Sequence, residues 1–137
     1  MSNFSGWTTA DFTRRNLAQQ ERQRARLPKE TANRITANIL RAVNSQPRCA
    51  AYRINNVGVW DEAKGVYRKG NTQKGIADVS AIIRGRAVWV EVKAGRDKLS
   101  MEQMIFRQEV ERAGGLYFEA RSTDEFLKWF TEILKTI

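Results

Sequence analysis

The stretch Val88-Trp89-Val90-Glu91-Val92-Lys93 sets two charged groups into an otherwise apolar run. Side chains alternate along an extended strand, so Val88, Val90 and Val92 line one face while Glu91 and Lys93 share the other. A second apolar run, 77–83, carries Asp78 near its start, and Arg84-Gly85-Arg86 joins the two. So short a gap with a glycine predicts a hairpin. With Arg84-Gly85 as the two turn residues, Asp78 falls opposite Glu91; with Gly85-Arg86, it falls opposite Lys93. Either register gathers all three on one face, whereas a three-residue bulged loop would leave their positions open. Two carboxylates at that range repel each other and invite a hard cation. Magnesium is held by one or two carboxylates together with water and phosphate oxygens. A cation so held polarises a phosphate and acidifies a bound water. Lys93 would orient that water or stabilise the charge developing on phosphorus. The competing explanation is a surface ion pair between Glu91 and Lys93 at an exposed strand end, and spacing alone does not separate the two.

Position, not the triplet, selects these residues. Another acid-x-lysine triplet, Glu62-Ala63-Lys64, lies in a polar loop, on no apolar strand and with no acid correctly placed before it. The chain contains no histidine, which removes serine-histidine triads, histidine-based nucleases and most zinc hydrolases. A catalyst here works with carboxylates, lysines, hydroxyls and oxygen-ligated metal. The single cysteine, Cys49, excludes an internal disulfide and a cysteine-rich zinc site, and it fits a reducing compartment. No apolar run approaches the ~18 residues of a membrane span, and no signal-peptide core opens the chain. The expected compartment is the cytoplasm, with no membrane partner.

Charge is unevenly placed. The net charge is +9. Residues 1–29 carry six basic and two acidic groups, residues 48–74 again six and two, while residues 75–137 balance ten against ten. The surplus therefore precedes the Asp78–Lys93 region. An asymmetric basic surplus is the footprint expected for a polyanion partner; for the N-terminal segment the alternative is solubilising charge on a tail.

The elements that must position these groups follow from periodicity. Residues 1–27 contain Arg14, Arg15, Arg22, Arg24 and Arg26 among glutamines with no apolar stripe, which predicts a mobile or weakly helical basic arm, with Phe4, Trp7 and Phe12 available for contacts. Pro28 suits the first turn of a helix reaching about Asn44, with Ile35, Ile39 and Val43 spaced four apart. A short strand is expected over 49–55, a polar basic loop over 56–75, and the two hairpin strands over 77–83 and 86–93. Ser100 with Gln103 forms a capping-box pattern, and Gly114-Gly115 closes that helix. Residues 116–118 read as a strand. Ser122 with Glu125 opens a last helix, whose Phe126, Trp129, Phe130, Ile133, Leu134 and Ile137 form an apolar stripe that belongs to the core. The order αβββαβα makes one mixed sheet flanked by helices, with 1–27 as the arm and 28–137 as a single domain.

Four pieces occur in sequence: Lys74-Gly75-Ile76-Ala77-Asp78, then Val90-Glu91-Val92-Lys93, then Leu99-Ser100-Met101-Glu102-Gln103, then Gly114-Gly115-Leu116-Tyr117. Together they resemble the VRR-NUC branch of the PD-(D/E)xK nucleases. Arg53-Ile54-Asn55-Asn56-Val57-Gly58 is similar to the arginine-asparagine segment preceding that branch's basic loop. The resemblance spans about residues 29–126 and leaves the arm outside. It implies a restriction-endonuclease-like αβββαβ core, here with an added C-terminal helix. It implies ligation of Mg2+ (or Mn2+) by Asp78, Glu91 and the main-chain carbonyl of Val92, with Lys93 at the water. Gln103 is expected to point into the site, and a first-helix glutamate, here Glu30, to assist at the metal. Each has a structural alternative: the capping box for Gln103, helix N-terminal charge for Glu30. Ala77 stands where the superfamily's name has proline, a position that varies within the branch.

The implied activity is metal-dependent endonucleolytic hydrolysis of phosphodiesters in phage or bacterial DNA. The expected DNA contacts are Arg53, Lys64, Arg68, Lys69 and Lys74. Members of the branch often act on branched structures and some work as dimers, so a homodimer and a partner protein held by the arm are further expectations. A chain of 137 residues leaves no room for a separate specificity domain, which favours recognition of DNA structure, or guidance by a partner. The alternatives are a non-catalytic DNA-binding module and a basic subunit of a replication or packaging machine.

Overall fold

A computed structural model describes residues 6–26, 29–54, 56, 58–68, 70 and 73–137, with the side chain of residue 26 left aside. Pro28, Phe4 and Lys69, each singled out in the sequence, lie outside the described residues. The elements run α1 (Thr9–Arg26), α2 (Ala32–Asn44), β1 (Cys49–Arg53), β2 (Val59–Asp61), β3 (Val66–Arg68), β4 (Val79–Ile83), β5 (Arg86–Val92), α3 (Met101–Arg112), β6 (Leu116–Ala120) and α4 (Thr123–Thr136). The architecture is α/β: a mixed four-stranded sheet in the order β1-β4-β5-β6, plus a separate two-stranded ribbon, β2-β3.

The turn between β4 and β5 fixes the register. Arg84 and Gly85 both take positive φ, 48° and 88°, as the two central residues of a type I′ turn must. The ladder therefore pairs Ile83 with Arg86 and Val79 with Val90, the first of the two registers open to the sequence. One step further along that ladder, Asp78 faces Glu91. β1 pairs antiparallel with β4, and β6 runs parallel to β5.

The pleat then sorts side chains to two faces. Val79, Ala81, Ile83, Val88, Val90 and Val92 enter one core with Ile35, Ile39 and Val43 of α2 and Phe126 and Phe130 of α4. Phe118 joins it from β6, stacked on Trp129 with centroids 4.6 Å apart. Burying each Val, Ile or Phe here stabilises by roughly 1.5–3 kcal/mol, so this face anchors the sheet. On the other face Trp89 and Tyr117 pack with Phe106 and Val110 of α3, and Ala77 and Ile76 close that smaller cluster. α3 contacts the β6 side of the sheet, and Tyr52 and Ile82 on β1 and β4 stay exposed.

Several boundaries differ from expectation for local reasons. The segment expected as a mobile or weakly helical arm forms an 18-residue helix from Thr9. Thr8 and Asp11 cap it reciprocally, with Asp11 Oδ2 accepting from the Thr8 amide at 2.9 Å, and a run rich in Arg, Ala and Gln supplies helix propensity without an apolar stripe. α2 starts at Ala32 because Thr31 is its N-cap, its hydroxyl accepting from the Arg34 amide. β4 starts at Val79, so Asp78 sits just before the strand, and β1, expected to reach 55, ends at Arg53. The expected loop 56–75 contains the β2-β3 ribbon. No helix among the described residues is long and apolar enough to cross a membrane.

Candidate active site

Asp78 lies where β4 begins. Its main-chain carbonyl accepts from the Ile54 amide at 2.8 Å, and its side chain reaches the neighbouring strand, where Oδ2 accepts from the Val92 amide at 2.9 Å. In an extended strand a residue's N–H and C=O leave on the same edge, so the carbonyl of Val92 is directed toward the edge occupied by Asp78. The next amide, Lys93 N–H, goes the other way, to the Ala120 carbonyl of β6. The end of β5 thus offers one carbonyl and two side chains to the space beside Asp78.

Glu91 is 3% exposed, one of two buried polar residues among those described. Oε1 accepts from Gln103 Nε2 at 2.8 Å and lies 3.5 Å from Lys93 Nζ, while Oε2 is buried without a hydrogen-bond partner among the described residues. Burial first, and then the charge of Asp78, push its carboxyl up to about 7 from 4.5; Lys93 pulls the other way. A buried carboxylate oxygen left unsatisfied costs free energy unless a proton or a cation meets it. The Glu91–Lys93 pair is therefore no surface ion pair: the lysine side chain is 15% exposed and the glutamate less. The exposed strand-end explanation does not hold.

Gln103 performs both tasks that its sequence position suggested. Its Oε1 accepts from the Ser100 amide at 2.9 Å, completing the capping box of α3, and its Nε2 donates to Glu91. A planar amide points its two polar atoms apart, so one residue caps a helix and holds a carboxylate at once. Gly75 brings the opposite wall into place. At φ +75°, its Cα meets the first turn of α3 so closely that an added Cβ would lie 2.3 Å from the Glu102 carbonyl group. Asn56 Nδ2 ties the two ends of the 56–75 segment together by donating to the Ile76 carbonyl at 3.3 Å. The result is a cleft of ≈ 300 Å³ lined by Asn56, Gln73, Gly75, Ile76, Asp78, Glu91, Ser100 and Gln103.

Asp78, Glu91, Lys93, Val92 and Gln103 are thus brought together. Glu30 is not. Both of its oxygens accept from Thr123, Oε1 from the amide at 3.0 Å and Oε2 from the hydroxyl, and these bonds hold its carboxyl below the usual range. Glu30 supports the start of α4 beside a different cleft, with Lys29, Gly95, Arg121 and Ser122, its carboxylate engaged there as negative charge at that helix's N-terminus. Among the basic residues, Lys74 is exposed between two residues of the cleft wall, and Lys64 and Arg68 sit on the β2-β3 ribbon. Arg53 donates to Asn33 Oδ1 at 2.7 Å on the outer edge of the sheet. Lys69 is outside the described residues.

One residue of this region was read in the sequence only as part of a strand, with no sign of its nearness to Glu91. Tyr117 is buried beneath α3, its hydroxyl lacks a hydrogen-bond partner among the described residues, and burial followed by the charge of Glu91 raises its pKa strongly. Its approach to Glu91 depends on the parallel register Trp89 with Tyr117, which no local pattern encodes. Among the described residues no three His, Cys, Asp or Glu side chains converge. Two carboxylates and a carbonyl are too few for an all-protein calcium cage or a zinc site, but they suit a cation that keeps several waters and shares substrate oxygens. No family model matches the chain, and no curated protein does either.

Proposed function

We propose that the chain is a magnesium- or manganese-dependent nuclease of the PD-(D/E)xK kind, hydrolysing phosphodiester bonds in DNA. The observation that carries this reading is Glu91: a buried carboxylate with one unsatisfied oxygen, beside Asp78, with a nearly buried lysine at its other oxygen. A binding module has no use for acids converging beside a polyanion, which repel it. A hydrolase has, because a cation held there reverses the sign of the site. Asp78, Glu91 and the Val92 carbonyl would hold that cation. When bound, it supplies charge to the phosphate and lowers the pKa of a water ligand.

The rest falls to the chain's own groups. Gln103 fixes the rotamer of Glu91 through one hydrogen bond and is itself fixed by the helix cap. Asp78 is held by the Val92 amide, so neither acid must reorganise when substrate arrives. Lys93 would bring a positive charge beside Glu91, its Nζ 3.5 Å from Oε1, to orient an attacking water or stabilise a phosphorane oxygen. Lys74, between two residues of the cleft wall, and the other basic groups of 48–74 would draw the DNA backbone in by sequence-independent phosphate contacts. Phosphate contacts of this kind fit recognition of DNA structure, or guidance by a partner, in the cytoplasm of a bacterium or an infected cell.

The test is cleavage of supercoiled plasmid, flap and four-way-junction DNA with Mg2+ or Mn2+, against a chelator control. Asp78→Asn keeps an oxygen to accept from the Val92 amide, so it should melt like the wild type. Its cleavage rate should fall by more than about 100-fold, since even groups one step removed from a metal cost 10–100-fold. Undiminished cleavage by Asp78→Asn, or cleavage indifferent to chelator, refutes the reading.

A further inference from the structure

The β2-β3 ribbon exposes apolar surface that nothing among the described residues covers. Val59, Trp60, Val66 and Tyr67 are each at least half exposed, Tyr67 at 73%, and none joins either core cluster. Trp60 and Tyr67 face each other across the ladder. Their rings meet edge to face, with centroids 5.3 Å apart, a geometry that leaves a ring face open to a third planar group. The other side of the ribbon is braced: Arg68 pairs with Asp61 at 2.6 Å, and Asp61 also accepts from the Lys64 amide and, through its carbonyl, from the Gly65 amide. An isolated two-stranded ribbon is marginal in water. This one is held in shape by its turn while two aromatics stand in solvent.

Its placement gives the aromatics a purpose. The ribbon springs from Asn56 on one side and returns through Gln73, Gly75 and Ile76 on the other, and all four line the Asp78–Glu91 cleft. Residues 62–74 carry four basic groups against one acid. Exposed aromatics set among basic groups beside a cleft are what a flexible polyanion with planar groups requires: bases stack on the rings while phosphates meet the cations.

We infer that the Trp60–Tyr67 pair is a stacking platform for unpaired nucleotides next to the cleft, making DNA with a short single-stranded tract the preferred ligand. This rests on, and narrows, the nuclease reading. Fully paired bases are already stacked on their neighbours and gain nothing from the rings, so the ribbon discriminates between paired and unpaired DNA without reading sequence.

The experiment measures binding of the full chain, in chelator and without cleavage, to a duplex and to the same duplex carrying an unpaired tract with one 2-aminopurine. The wild type should prefer the unpaired tract and quench the 2-aminopurine. Trp60→Ala and Tyr67→Ala should each weaken binding to it about tenfold, the loss expected for one stacked base. Affinity for the duplex should change less than about twofold. Trp60→Phe, which keeps an aromatic face and guards against misfolding of the alanine variant, should retain most of the preference. Equal losses on both DNAs, or a wild type without preference, overturn the inference and leave another protein as the natural cover of this surface. Because no metal is present, failure of the cleavage reading would not affect this result, and failure here would leave the cleavage reading standing.

Discussion

Replacing Glu91 by glutamine should stabilise the metal-free protein above neutral pH, and the size of the gain follows from where the side chain sits. Its carboxyl holds a proton up to about pH 7 in the folded chain but only to about 4.5 when exposed. Folding therefore takes up a proton between those values. Stability contributed by this group is complete below 4.5, declines as pH rises toward 7, and stays at its low level above. The interval corresponds to roughly 3 kcal/mol, a large share of the 5–15 kcal/mol typical of a domain. Glutamine keeps the shape and retains an oxygen for Gln103 Nε2, while removing the charge that burial and Asp78 oppose. Urea unfolding in chelator at about pH 5 and about pH 8 measures the effect. The difference between variant and wild type should move in the variant's favour by roughly 2–3 kcal/mol across that range. Saturating Mg2+ should restore the wild type at the higher pH and leave the variant unchanged. A wild-type pH slope that persists in Glu91→Gln would place the titration elsewhere and refute the argument.

Two further outcomes test the lysine beside Glu91 and the cleft's wall. Lys93→Ala should lower cleavage by about 100-fold or more, yet bind Mn2+ in calorimetric titration at least as well as the wild type, since an ammonium is not a ligand and its charge opposes the cation. Gly75→Ala should destabilise the fold by roughly 2–5 kcal/mol in denaturant, because a Cβ at φ +75° would lie 2.3 Å from the Glu102 carbonyl group and strain and overpacking add.

Whatever depended on local period was legible in the sequence. The α2 stripe of Ile35, Ile39 and Val43, the α3 and α4 caps and the alternation across Val88–Val92 each leave a mark at fixed spacing. The union of Asp78 with Glu91 was legible too, conditional on one turn, because a two-residue hairpin converts sequence distance into register. Burial was not. Nothing in Glu91's neighbours says that α3 will roof it and leave Oε2 without a partner, since that depends on Gly75 and Phe106 arriving from elsewhere in the chain. Tyr117 was hidden for the same reason. The β2-β3 ribbon escaped notice because its strands are three residues long, too short for alternation to rise above the composition of a loop. The α1 helix was legible only as weak helicity, because its signal is capping and propensity without amphipathicity. Glu30 shows the converse: a residue type fitting a role by resemblance was taken up by the amide and hydroxyl of Thr123.

The divided amide of Gln103 constrains how this chain can drift. In most capping boxes glutamate and glutamine are interchangeable at the third helical position, since either can reach back to the cap's amide. Here the second atom of the group donates to Glu91. A glutamate at 103 would keep the cap and turn a donor into a third negative charge against an oxygen already crowded by Asp78. Asparagine falls one methylene short of reaching both partners. Two requirements with separate origins, starting a helix and steadying an acid, have become one inherited unit, so the most ordinary substitution for a helix start is closed to this helix.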